Sequence, residues 1–199
     1  MICVGWMVQR EYQLPLEQYE AVHINALEPL LKYVSMFVHG GGRFWCTDHM
    51  CQAILVANGI TPMCTNLLLY YKCRASLMLF ERQNMNKLVC CELEFWDADI
   101  STHLWTLIES PVLRGLDCPG TTGHGFSVAM MHRLIDRHFD VTADFFIRMG
   151  CDWTDDVIQN YKPDLQVQPG DFLNKNGHTL HCRISRDGKC ISMWCFPRI

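Results

Sequence analysis

The chain lacks any apolar run of the roughly 20 residues that a membrane-spanning helix needs, so no membrane partner is expected. It also lacks a basic excess. Its 17 Lys and Arg are outnumbered by 21 Asp and Glu, giving a formal net charge of −4. A general phosphate-binding surface is therefore not expected, and nucleic acid is an unlikely partner. The opening Met1-Ile2-Cys3-Val4-Gly5-Trp6-Met7 has neither the basic start nor the apolar core and cleavage site of a secretory signal. There is no internal repeat and no low-complexity tract. The one glycine run, Gly40-Gly41-Gly42, continues into Arg43-Phe44 rather than Lys-Ser/Thr. That excludes a phosphate loop and leaves a helix stop and turn.

What is present is an apolar composition of 49%, with 12 Cys, 11 Met, nine His and six Trp. At 199 residues the chain is expected to form a single domain over 1–199 and to bury a core without disulfide staples. The cysteines then read as buried thiols of a protein in a reducing compartment, the cytoplasm.

Residues 2–9 carry Val4, Trp6 and Val8 on one face, as a strand would. Apolar residues from Leu16 to Val38 recur at helical spacing, with Pro29 as a kink or divide. Thr47 to Asn58 reads as an apolar helix stopped by Asn58-Gly59. Two apolar runs, 67–71 and 77–80, read as buried strands, and 88–95 as a half-buried strand with Glu92 and Glu94 facing solvent. Helices are expected over 101–110 and 127–138, with a glycine- and proline-rich loop at 114–125 between them. Two short helices capped by Thr142 and Thr154 follow, over 142–149 and 154–161. The C-terminal part reads as a strand entered at Gln168-Pro169-Gly170-Asp171, then a hairpin of 178–184 and 189–195 turning at Asp187-Gly188. The fold class expected is α+β: an antiparallel sheet with packed helices, the Cys46 helix central.

Cys46 stands at the mouth of the first apolar helix, where the helix dipole favours a thiolate and backbone amides can hold an oxyanion. A base must come from elsewhere, and His178 and His181 on the late hairpin supply two choices. They lie on opposite faces of a regular strand, so only one can meet Cys46. Asp48, His49, Asp187 and Ser192 are the secondary candidates for orienting groups.

Trp45-Cys46-Thr47-Asp48, an apolar helix and Asn58-Gly59-Ile60-Thr61-Pro62 resemble the nucleophile segment of NlpC/P60-type papain-like cysteine hydrolases. Pro169-Gly170-Asp171, His178, a strand and Asp187-Gly188 resemble that family's histidine segment, in the same order. Trp45 stands where the family has aspartate, and residues 65–150 would form a large insertion or an elaborated sheet. The resemblance implies a papain-like core and a thiol hydrolase or acyltransferase acting on a peptide or amide bond through a cysteine thioester, with Cys46 as nucleophile and His178 or His181 as base. Such chemistry calls for no cofactor or metal.

Two other readings stand beside it. One is a non-enzymatic binding or assembly protein rich in buried free thiols. The other is a zinc-stabilised domain built from Cys46-x2-His49-x-Cys51 and His178-x2-His181-Cys182.

Overall fold

The computed structural model describes residues 42–46, 49–61, 63–71, 73–96, 98–120, 125–140 and 144–195. The strand expected at 2–9, the helix expected at 16–38, Gly40-Gly41 and residues Thr47, Asp48, Asp97 and Thr142 lie outside them.

A two-residue beat builds the sheet. In β1 (Arg43–Cys46) and β2 (Asn66–Tyr70), Cys46, Leu67 and Leu69 are buried, while Trp45, Leu68 and Tyr70 alternate outward. β3 (Cys90–Glu94) buries Cys91 and Leu93, and β4 (Gly115–Cys118) buries Leu116 and Cys118. β5 (Phe145–Gly150) buries Phe145, Ile147 and Met149. Further on come β6 (Gln166–Gln168), β7 (Asp171–Leu173), β8 (Thr179–Ile184) and β9 (Cys190–Cys195). Leu180 and Cys182 of β8 and Ile191, Met193 and Cys195 of β9 keep the same beat.

The nine strands form one sheet in the order β1-β2-β3-β4-β5-β9-β8-β7-β6. β1 to β5 are parallel. β9 joins β5 antiparallel, and β8, β7 and β6 continue antiparallel outward. The sheet is therefore mixed, which corrects the antiparallel expectation while keeping helices packed on a sheet. Residues 65–150 supply β2 to β5 and are continuous with the rest of it.

Four helices link the parallel strands: α1 (His49–Ala57), α2 (Arg74–Glu81), α3 (Ser101–Glu109) and α4 (Val128–Asp140). Each crossover steps to the next strand in the same direction. Such crossovers are right-handed almost without exception. Steps of one hand in one direction place every helix on the same face of the sheet. Contacts of α1 with α2 and of α3 with α4 agree with a single helical layer. A short α5 (Asp155–Gln159), with Thr154 at its N-cap, precedes β6. The helix that follows Cys46 is not central. It joins the first two strands of the order.

The covered face holds the core, a single cluster running from Cys46 and Leu69 to Leu180 and Cys182. Gln52 of α1 ties its first corner together. Its buried amide donates to the carbonyls of Cys46 (3.1 Å) and Tyr70 (2.9 Å) and accepts from Ser76 Oγ of α2 (2.5 Å). Among the described residues no helix is long and apolar enough to cross a membrane.

Candidate functional site

Cys46 ends β1 with its side chain on the covered face, and 4% of the residue is exposed. His181 sits on β8, where the alternation turns it to the opposite face, helix-free among the described residues, beside Trp194. Six inter-strand steps separate β1 from β8. At about 4.8 Å per step that is roughly 25–30 Å along the sheet. His178 precedes β8 and is equally remote. Its backbone N–H donates to Asn174 Oδ1 (3.0 Å), and its ring Nδ1 is buried without a hydrogen-bond partner among the described residues. The sulfur–imidazole pair expected from Cys46 with His178 or His181 is not assembled. The reason is the parallel half of the sheet, which stands between the two segments.

The zinc constellation fares the same way. His181 and Cys182 point to opposite faces of β8, and Cys46 lies across the sheet. Among the described residues no three His, Cys, Asp or Glu side chains come together to hold a metal ion.

The secondary candidates scatter. His49 is an exposed residue at the start of α1. Asp187 is spent on its own turn, accepting from Ser185 Oγ (2.6 Å) and the Lys189 amide (3.2 Å), bonds that lower its pKa. Ser192 stands on the helix-free face of β9, between Arg148 and Arg183.

The described thiols with shifted acidity all shift one way. Burial pushes Cys64 and Cys118 up to about 12 and Cys151 up to about 11. It raises Cys90, Cys91, Cys182, Cys190 and Cys195 as well. These are protonated core or strand residues, the reverse of an activated nucleophile.

What the fold does expose is the second face of the sheet. One row across it reads Trp45, Leu68, Glu92, Asp117, Arg148. The neighbouring row ends in Phe146, Trp194, His181 and Asp171. The charged centre is self-paired: Arg148 clasps Asp117 through two bonds of 2.8 Å. At the antiparallel end, the largely buried Asp171 accepts from His181 Nδ1 (3.0 Å) and forms an ion pair with Arg183 (2.5 Å). The His181 ring stacks on Trp194 at 5.3 Å. Gly170 sets the entry to this cluster at φ +78°, where an added Cβ would lie 2.7 Å from the Cys182 carbonyl.

The chain matches no family model, no curated protein and no solved structure.

The parallel end of the same face is aromatic and acidic. Trp45 is 56% exposed and Phe95, just beyond β3, is 66% exposed. Tyr70 packs edge-on against Phe95 at 5.4 Å. Phe95 owes its exposure to backbone geometry. Strict alternation would turn it inward with Cys91 and Leu93 and send Trp96 outward. Instead Phe95 takes φ +56°, a left-handed conformation that it shares, among the described non-glycine residues, with Lys162. The parity inverts. Trp96 is buried at 1% exposure against Tyr71 and Phe80, and Phe95 is left outside. Gly120 secures the turn: a Cβ there would lie 2.9 Å from the Trp96 carbonyl.

Reading the sequence did not bring together Asp171, Arg183, Trp45 and Phe95, which share this face of the sheet. A signal existed for Asp171. Counting outward from the Asn174–Gly177 turn pairs it with His181, as the register confirms. No comparable signal marks Phe95, because its φ depends on where Trp96 packs.

Proposed function

We propose that this protein is a non-enzymatic binding or assembly module that engages a protein partner through the helix-free face of its sheet. The observation that carries this reading is the one-sidedness of the sheet. All crossover helices lie on one face, and the other presents Trp45, Tyr70, Phe95, Phe146 and Trp194 among charged side chains, two pairs of which are matched. Exposed aromatic side chains are the common anchors of protein interfaces. The left-handed Phe95 backbone buries Trp96 and leaves most of the Phe95 ring, edge-on to Tyr70, at the surface.

The thiol-rich core fits a reducing compartment such as the cytoplasm. A papain-like thiol hydrolase or acyltransferase would need the Cys46 sulfur and an imidazole within hydrogen-bond reach. The sheet holds them apart, which favours the binding reading.

Site-specific photo-crosslinking tests this. A benzoylphenylalanine at position 45 or 146 is expected to capture a discrete partner in extract. The same probe at Trp105, exposed on α3 of the helical layer, should not. Capture from position 105 alone, or from none of the three, contradicts the proposal.

A further inference from the structure

The two ends of the helix-free face differ in charge balance. Asp171 and Asp117 are matched by Arg183 and Arg148. Glu92 and Glu94 make no direct ion pair among the described residues, although Glu94 stands near enough to Arg148 to help raise its pKa, and both point to the helix-free side of β3. Register places Glu92 beside Leu68, whose other neighbour is Trp45, and Glu94 beside Tyr70. The Phe95 ring leans on Tyr70 from beyond the strand end. Within about two strand spacings, or roughly 10 Å, this corner offers exposed aromatic faces and two carboxylates, with one cation, Arg43, two residues before Trp45 on the same face of β1.

We infer that this corner is the docking site for a basic segment of the partner protein, with an arginine or lysine side chain laid over Trp45 or Phe95 and its charge met by Glu92 and Glu94. The inference rests on the binding reading above and names the chemistry of the partner. Cations are drawn to aromatic faces, and arginine most of all, because its planar guanidinium also stacks and can clasp a carboxylate with two bonds. Phosphate-bearing partners are disfavoured by the same two carboxylates and by the overall charge of −4.

The test uses the full chain and a fluorescein-labelled peptide in which arginines alternate with Gly-Ser, alongside glutamate and serine versions of equal length. The arginine peptide is expected to bind. Combining Glu92→Gln with Glu94→Gln should weaken it by about tenfold or more. Combining Asp155→Asn with Asp156→Asn makes the same charge change on exposed α5 and should leave binding unaltered. Phe95→Gly, a residue the left-handed backbone accepts, should weaken binding without lowering the melting temperature. Equal losses in the two charge-matched pairs would mean unspecific attraction and overturn the assignment, as would tighter binding of the glutamate peptide or of single-stranded nucleic acid. If position 45 captures a partner while the arginine peptide fails to bind, the basic-segment assignment falls and the face reading stands. If positions 45 and 146 both capture nothing, the two fall together.

Discussion

One dihedral angle decides which of two neighbouring rings meets solvent at the end of β3. Holding Phe95 at φ +56° costs an L-residue roughly 1–2 kcal/mol, and its exposed ring returns little burial energy. Glycine removes that cost and gives back about 0.5–1 kcal/mol through the looser unfolded chain. Set against the lost edge contact with Tyr70, Phe95→Gly should be close to neutral in urea unfolding. Leu93→Ala, two residues earlier in the core, should cost about 2–5 kcal/mol. A large loss from Phe95→Gly would mean that the ring is structural.

The other residue with a clear signature is His138, near the end of α4. Its buried Nε2 lies 3.2 Å from the carbonyls of both Phe172 and His178, so the proton sits there and is donated to them. Its Nδ1 is buried without a hydrogen-bond partner among the described residues. Burial pushes its pKa below the usual histidine value, against the pull of those two carbonyls. The neutral form is the folded form. Its contribution is complete above the unfolded value of about 6.5 and is lost as pH falls below it. His132, lowered by burial too, acts in the same direction. Thermal melts should be flat from neutral to mildly basic pH and fall on acidification. His138→Gln should lower stability at neutral pH yet flatten part of that fall. An unchanged acid limb would count against the assignment.

At the level of elements, α3 and α4 are joined by two arginines of different kinds. Arg137 is buried and donates to the carbonyls of Ile108 (3.0 Å) and Leu113 (3.1 Å), at and beyond the end of α3. Arg133 clasps Glu109 through bonds of 2.6 and 2.8 Å, on the surface. Losing the first leaves two carbonyls short of a donor and should cost about 1–3 kcal/mol. Losing the second should cost at most about 1 kcal/mol. Urea titrations of Arg137→Ala and Arg133→Ala check this ordering, and a reversal would mean that the α3–α4 contact is held at its rim.

The elements also show where the sequence was readable. The helices after Thr47, at Ser101 and at Ser127 and the closing hairpin were legible, because caps, stops and an Asp-Gly turn mark them locally. Three elements were not. The run 77–80 is continuously apolar, so its period is ambiguous, and it is helix α2 rather than a strand. The stretch 145–150 buries alternate residues, but the outward Phe146 hides the alternation, and threonine at 142 is a residue type common at helix caps; 145–150 is strand β5, not a helix. Four-residue β4 lies inside a glycine- and proline-rich stretch read as loop. Losing β4 and β5 and misreading α2 erased the strand–helix alternation that signals parallel crossovers. An antiparallel sheet, and with it a meeting of Cys46 with the late histidines, then looked reasonable.

The whole molecule, over the described residues, is a sheet with helices on one face and none on the other. The chain carries its own reporters of that sidedness. Cys90 and Cys190 alternate onto the helix-free side and are half-buried, while Cys46, Cys91, Cys118, Cys182 and Cys195 are buried on the covered side. Timed iodoacetamide labelling of the native protein at neutral pH, read thiol by thiol by peptide mass spectrometry, is the most direct measurement. Cys90 and Cys190 should label ahead of the five covered cysteines, with Cys46 among the slow group until the protein is unfolded. Cys46 labelling ahead of every other thiol, or the five covered cysteines labelling as fast as Cys90 and Cys190, would contradict the account.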